Sequence, residues 1–481
     1  MECLMLTVWC LTVLGLHREV AQGRHKSVGD FAFQTSTMVS SPGVNLLCSP
    51  TTRGLSMSKK ANTFQTPIGT RDLLPGESSR WEAVIEVFSN VASRAGFSLV
   101  DTPIFEDVGV FTRIGEGTDV VGKEMYEFLD RSERPMALRP EGTAAVCRAF
   151  AQHRPPVPWK VYYRGPYFRY EAPQAGRFRQ FHQFGIESIG SDDPDIDVEV
   201  IALGWKVLAA VGINKIDLQI NSMGDQETRR NYQEALIVFL KNHADDLAEE
   251  DQHKVDSHPL RVLDSKRRAT QSVTKEAPKI SDFLSEDAQV HFERVKDGLT
   301  ALEIPFSIQP RLVRGLDYYT HTTFEFQSLA LDSAQNTVCG GGRYNGLIEE
   351  LGGPATPGIG FGMGIERLLL ACDAETSFPA PRSATQVWVV DVTDGSSARD
   401  LTHILRDHGL TADRSFDQRS MRSQMRSANR SEAEIALIIG EQEVDEDTVA
   451  IRMLRDEEIG QIVVPRSSAV AEVQRLLGLE S

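Results

Sequence analysis

The sequence predicts an α+β main domain, an antiparallel sheet flanked by helices and interrupted by a helical insertion, followed by a smaller α/β domain. Three observations carry this. Residues 157–170 and 178–189 are aromatic and β-branched runs joined by a polar, glycine-containing loop, the pattern of a long antiparallel hairpin. Residues 225–300 are charged and read as helix with few strand signals. Beyond a Pro-, Ala- and Ser-rich linker at 373–385, strand and helix runs alternate to the end. The chain of 481 residues is too long for one ordinary domain, which agrees. We divide it into an N-terminal extension at 1–58, a core at 59–380 with an insertion at about 225–305, and a last domain at 381–481.

Residues 69–75 read as a turn. Helical periodicity follows over 77–95, with Trp81, Val84, Ile85, Phe88, Val91 and Ala92 on one face. Residues 97–104 read as a strand ending near Pro103. After the hairpin, 196–211 form an apolar helix. Strand character returns at 306–327 and 337–342, and Gly358–Gly364 leads into a helix near Ile365. In the last domain, 386–392 and 435–440 are buried-type strands and 396–408 and 466–478 are helices, which predicts a mostly parallel sheet.

Residues 1–58 stand apart. Residues 3–16 form an apolar run too short to span a membrane, and Glu2 with no preceding Lys or Arg is wrong for a secretory signal. We read Met57 as the true start, with an organellar transit peptide as the alternative. The expected location is the cytoplasm, or an organelle if the extension is a transit peptide. Six scattered cysteines without a Cys-x-x-Cys pair argue against a disulfide scaffold or a cysteine zinc site. The net charge of −17 excludes a uniformly basic coat for nucleic acid, but not an enzyme with a local basic patch.

Four clusters can carry chemistry. In Arg139-Pro140-Glu141-Gly142-Thr143, Thr143 reads as the N-cap of a following helix, or the cluster grips an ammonium. On the hairpin, Arg179, Phe181, Gln183, Gly185 and Glu187 share one face; Gln180, His182, Phe184 and Ile186 share the other. The first face is too polar for a core and should meet a ligand, with Arg169 on the facing strand. His182 reads as a packing histidine. Arg314 beside Gly315 is a candidate anion clamp, and Gly340-Gly341-Gly342 lets backbone approach a ligand. Glycines at 358, 360, 362 and 364 would strip one strand face bare, so that a flat purine could lie on it. The spacing is not that of a dinucleotide or phosphate loop.

Taken in order, Arg139–Thr143, Phe168–Glu187, Arg311–Thr320, Gly340–Leu347 and Gly360–Leu368 resemble the blocks of a class II aminoacyl-tRNA synthetase. Within that class they are similar to the histidyl-tRNA synthetases of bacterial type, over roughly residues 64–481. The resemblance implies activation of L-histidine by ATP with Mg²⁺, transfer to tRNA(His), a homodimer built on residues 81–103 and no membrane. It puts Arg169, Arg314 and Arg367 on the phosphates as the catalytic arginines. Arg314 would also meet the histidine carboxylate. Phe181 would stack on adenine, with Gly360 and Gly362 at the nucleotide. Glu141, Gly142, Thr143 and Gln183 would hold the amino end. Glu187 and Tyr319 would read the imidazole, with Tyr318 and Tyr344 nearby. Gln174 and Arg177 would meet the tRNA acceptor end, where Ala172 replaces a usual arginine. Arg419, Arg422, Arg426 and Arg430 recur at helical spacing and would meet tRNA backbone. No resident metal site and no editing domain are expected. The alternative is a non-catalytic paralogue such as the regulatory subunit of ATP phosphoribosyltransferase, which typically lacks the last domain.

Overall fold

The computed structural model describes residues 64–479, apart from 116–118, 175, 264, 266, 313–317, 333–335, 382–384 and 457–459. The extension at 1–58 and Arg314 lie outside the described residues. The strands are β1 (Ser98–Leu99), β2 (Phe105–Asp107), β3 (Tyr126–Leu129), β4 (Pro135–Leu138), β5 (Trp159–Phe168), β6 (Gln180–Ile189), β7 (Ile216–Ser222), β8 (Ser307–Ile308), β9 (Thr320–Ser328), β10 (Thr337–Arg343), β11 (Gly358–Gly364), β12 (Val387–Asp391), β13 (Ala412–Arg414), β14 (Ile435–Ile439), β15 (Thr448–Met453) and β16 (Ile462–Pro465).

Eight strands build the main sheet in the order β1-β5-β6-β11-β10-β9-β7-β8. Its six inner strands are antiparallel neighbours, and the two edge strands β1 and β8 add in parallel. The hairpin β5–β6 is in the predicted place, with Gly165 opposite Gln183 and Val161 opposite Glu187. Alternation decides the faces. Phe184 and Ile186 turn into the core with helix Glu77–Arg94, where Phe88 stacks on Phe184 at 4.1 Å. Val200, Ile201, Phe324, Phe326, Phe361 and Met363 complete that core. Helices Pro194–Ala210, Glu286–Ala301 and Ile365–Glu375 cover it. Asp193 caps the first of these by accepting the Asp195 N–H at 3.1 Å, and Ser285 caps the second. The opposite face of the sheet carries the polar residues.

Four expectations need correction. The strand predicted at 97–104 survives as two residues, because Pro103 has no N–H to donate and Arg139 takes the Thr102 carbonyl at 2.8 Å. Strand β7 was not anticipated, although Leu218 and Ile220 alternate with Gln219 and Asn221. The stretch predicted as the insertion is not of one piece. Its last helix, Glu286–Ala301, packs Val295 and Leu299 into the main core, so the inserted lobe ends before it. The C-terminal sheet, β13-β12-β14-β15-β16, is parallel only where β12 meets β13 and β14; β15 and β16 return antiparallel. Helices Ser396–Asp407 and Ala469–Leu476 pack on it through Leu401, Leu405 and Val473.

Candidate active site

The polar face of the hairpin forms the floor of an open cleft of about 350 Å³. Arg169, Arg177, Phe181, Gln183, Tyr319, Glu325, Thr337, Gly362 and Arg367 line it. Arg169 sits just past the end of β5. Its Nε donates to the Pro140 carbonyl at 2.9 Å, and its guanidinium lies 5.3 Å from the Phe181 ring centre. Arg367 stands in the first turn of helix Ile365–Glu375, held through Nη1 by the Thr337 carbonyl at 3.1 Å. Burial, then the neighbouring Arg177, push its pKa down from the ordinary value. Three guanidiniums in one cleft repel each other. A polyanion relieves that repulsion, and the N-terminus of the helix adds its own positive end. Glu171 lies 3.2 Å from Arg177 and 4.0 Å from Arg169 and offsets part of this charge.

Beside the cleft lies a buried cluster around Glu187. Its Oε1 accepts the Thr143 hydroxyl at 2.7 Å and the Tyr163 hydroxyl at 3.2 Å, and its Oε2 accepts the Tyr344 hydroxyl at 2.7 Å. Burial wins over these donors and pushes the Glu187 pKa up to about 8. Glu141 is also buried, and burial pushes its pKa up too. It accepts the Thr143 and Ala144 N–H groups, each at 2.7 Å. Glu141 therefore caps helix Thr143–His153, with Gly142 as the N-cap residue. Thr143 is the first helical residue, not the cap. The Tyr318 and Tyr319 rings pack at a tilt of 46° with centres 4.7 Å apart, and Tyr344 meets Tyr318 edge-on at 6.1 Å.

The structure brings together Glu141, Gly142, Thr143, Glu187 and Tyr344 in this cluster, and Arg169, Phe181, Gln183, Tyr319, Gly362 and Arg367 in the cleft. It reassigns two predicted residues. Gly360 does not bare the sheet to a purine: a Cβ there would collide with the Glu187 carboxylate. Gly358 makes room for Tyr344 in the same way, so of these positions Gly362 and Gly364 open onto the cleft. Arg177 pairs with Gln174 through the backbone across the hairpin loop, but its side chain lines the cleft with Arg169 and Arg367 while Gln174 is exposed. His182 sits edge-on to Trp81 at 5.0 Å, as a packing histidine does, but its ring also has a polar partner: Nδ1 meets Glu366 at 3.1 Å, and the His182 backbone N–H donates to the same carboxylate at 3.0 Å.

Sequence reasoning missed Tyr163 and Glu325. A Cβ on Gly142 or on Gly185 would run into the Tyr163 ring, so those two glycines were the signal. Glu325 alternates with the core residues Phe324 and Phe326 on β9, a period-2 pattern that puts a carboxylate on the cleft side. On helix Met421–Arg430, Arg422, Arg426 and Arg430 are exposed on the face opposite Gln424 and Ala428.

The sequence pattern of the histidyl-tRNA synthetases matches residues 69–368, and that of an anticodon-binding domain matches residues 386–476. The chain belongs to the histidyl-tRNA synthetase family. It is 45% identical to a histidine–tRNA ligase of Levilactobacillus brevis over 424 residues, covering 86% of this chain and 98% of that protein. A second, from Geobacillus kaustophilus, is 45% identical over 427 residues, covering 87% and 99%. Among solved structures, the apo histidyl-tRNA synthetase of S. aureus superposes with a TM-score of 0.73 at 35% identity, covering 86% of this chain and all of that one. The architecture is thus the class II synthetase catalytic fold followed by an anticodon-binding domain.

Proposed function

We propose that the chain is a histidine–tRNA ligase: it forms histidyl-adenylate from L-histidine and ATP, releases pyrophosphate, and transfers histidine to the 3′ end of tRNA(His). The observation that carries this reading is the junction of two unlike sites. A cleft with three guanidiniums, made for a polyphosphate, opens beside a buried carboxylate ringed by hydroxyls, made for a polar side chain. The histidine carboxylate attacks the α-phosphorus, and the bond to pyrophosphate breaks. A carboxylate needs no general base. It needs alignment and removal of anionic repulsion. Arg169 supplies this at the α-phosphate, and Arg367 with Arg177 along the outer phosphates. Glu141 and Gln183 take the ammonium. Glu187 and Tyr319 take the imidazole, and Phe181 offers its ring to adenine. Burial makes an apolar side chain expensive here, because it would leave Glu187 and its hydroxyl partners without a polar ligand.

Among the described residues no three His, Cys, Asp or Glu side chains gather as a metal cage. Mg²⁺ needs only one or two carboxylates when it arrives on a nucleotide, and Glu325 in the cleft fits that demand. The ion would share the phosphate charge with the arginines.

We assign the homodimer interface to the edge formed by β1 and the small sheet β2-β4-β3. Leu99, Ile104, Phe105, Phe128 and Leu129 are all exposed there, beside a groove of about 530 Å³ walled by Val100, Pro103 and Trp159. A second copy of the chain would cover an apolar patch that a monomer rarely leaves open. The double substitution Phe105→Lys with Phe128→Lys is expected to convert dimer to monomer in sedimentation equilibrium. An unchanged mass would move the interface elsewhere.

The arginines at 419, 422, 426 and 430 would meet tRNA phosphates. Replacing Arg422, Arg426 and Arg430 by Gln should weaken tRNA binding and lower the slope of log affinity against log salt by about 0.7–0.9 per lost contact. A titration at several salt concentrations reads both. No helix among the described residues is long and apolar enough to cross a membrane. The buried free thiols Cys147, Cys339 and Cys372 suit the reducing cytoplasm that this reading assigns. Charging of tRNA(His) with labelled histidine by the full chain tests the proposal. Failure to charge by a folded dimer would favour a non-catalytic relative.

A further inference from the structure

Behind the tyrosines lies a layer of buried charge that the reaction described above does not use. Arg343, at the end of β10, and Asp197, in the helix Pro194–Ala210, are both fully buried. Arg343 Nε donates to the two Asp197 oxygens at 3.1 and 3.3 Å, and Nη2 closes on Oδ1. Nη1 donates to the Ser191 carbonyl at 2.9 Å and to Asp192 at 3.3 Å. Asp197 also accepts the Thr322 hydroxyl at 2.7 Å and meets His291 Nε2 at 2.8 Å. The network joins the end of β10 to β9, to helix Pro194–Ala210 and to helix Glu286–Ala301. Neither Arg343 nor Asp197 lines the cleft. A buried ion pair is weak evidence for stability, since well-packed apolar groups often serve as well. Its placement shows a different use.

The two residues after Arg343 are each tied to the amino-acid pocket. Tyr344 donates its hydroxyl to Glu187. Asn345 donates its N–H to the Thr320 hydroxyl at 3.2 Å and its side-chain amide to Asp192 at 3.1 Å. Thr320 directly follows Tyr318 and Tyr319. The ladder between β9 and β10 shifts register between Gly342 and Arg343, while on the other side β10 stays in register with β11 through Arg343 and the Tyr344 N–H donates to the Gly358 carbonyl at 2.8 Å, so it is the β9 side of this strand end that regular pairing leaves unfixed. The Arg343–Asp197 pair sits at that irregularity.

We propose that Arg343 and Asp197 are positioning residues for amino-acid recognition. Their pair locks the end of β10 so that Tyr344 and, through Asn345 and Thr320, Tyr319 face the imidazole. The inference rests on the reading of this pocket as the histidine site.

Removing one partner alone strands a buried charge and threatens the fold, so the test replaces both, Asp197→Leu with Arg343→Met, in the full chain. Thr320→Val, which keeps the ion pair and cuts the hydrogen bond to Asn345, is the second variant. Histidine-dependent exchange of pyrophosphate into ATP gives separate KM values for histidine and ATP, with near-UV circular dichroism to confirm folding. We expect the KM for histidine to rise about tenfold or more in the double variant and several-fold in Thr320→Val, with the KM for ATP within about twofold of wild type. A folded variant with an unchanged KM for histidine overturns the proposal. So does a parallel loss in both KM values and kcat, which marks a structural role only. If the double variant does not fold, Thr320→Val decides. Wild-type exchange driven by some other amino acid would instead remove the reading of the pocket itself.

Discussion

Arg169→Ala is expected to lower kcat for histidine-dependent pyrophosphate exchange by about 10²–10³, the usual loss when one preorganised donor to a developing charge is removed. Arg169 is held by the Pro140 carbonyl and leans on Phe181, so its guanidinium is aimed before substrate arrives. Its side chain is only partly buried, at 23% exposure, which makes the loss of stability small beside the loss of rate. Arg169→Lys keeps the charge and loses the fork, and should fall between the two. Steady-state kinetics on the pair of variants checks this. An Ala variant with normal kcat and a raised KM for ATP alone would reduce Arg169 to a ground-state contact.

Glu187→Gln should raise the KM for histidine by about 10²-fold or more, because an amide nitrogen can only donate where the two carboxyl oxygens accept the Thr143, Tyr163 and Tyr344 hydroxyls that shape the pocket. The same substitution should stabilise the substrate-free protein at neutral and alkaline pH. The Glu187 pKa rises from an ordinary 4.5 to about 8 in the folded chain. Between those values the folded state holds a proton that the unfolded state has released, so wild-type stability falls as pH rises through that window. Gln carries no such proton. The difference in Tm should therefore open in favour of the variant between pH 5 and pH 8.5 and close below pH 4.5, where the carboxyl is protonated in both states. The penalty at high pH is on the order of a few kcal/mol, which is several degrees in Tm for a domain of ordinary size. A Tm difference that is flat with pH would show that the hydroxyl donors, not burial, set the charge of Glu187.

Much of this site was legible because β-strand alternation sorts residues without reference to tertiary contacts. Phe184 and Ile186 enter the core, and on the other face Gln183 lines the cleft and Glu187 anchors the buried cluster beside it, as the period of two requires. The glycine comb at 358–364 shows the limit of such reasoning. Alternation marks a bare face, but what fills it comes from another strand: Tyr344 covers Gly358, Glu187 covers Gly360, and the cleft begins at Gly362. The cap of helix Thr143–His153 was misread for a similar reason. Thr143 is the usual type of capping residue, yet Glu141 takes the Thr143 and Ala144 N–H groups at the helix start, and the Thr143 hydroxyl donates to Glu187 instead. The resemblance sends Arg177 with Gln174 to the tRNA acceptor end; the two pair through their backbones, but nothing in a loop sequence says which way the Arg177 side chain turns, and it lines the cleft. Strands β15 and β16 escaped notice because the long strand-and-helix alternation before them favours a parallel continuation. Their antiparallel return is decided by pairing, not by composition.

The most direct test is amino-acid-dependent exchange of labelled pyrophosphate into ATP by the full chain, with each of the standard amino acids offered in turn. The structure predicts exchange with histidine and none above background with the others, lost in Arg169→Ala and in Glu187→Gln. Exchange that needs no amino acid, that follows a different one, or that is absent from a folded protein would contradict the assignment of the Glu187 pocket and the arginine cleft to a single histidine-activating site.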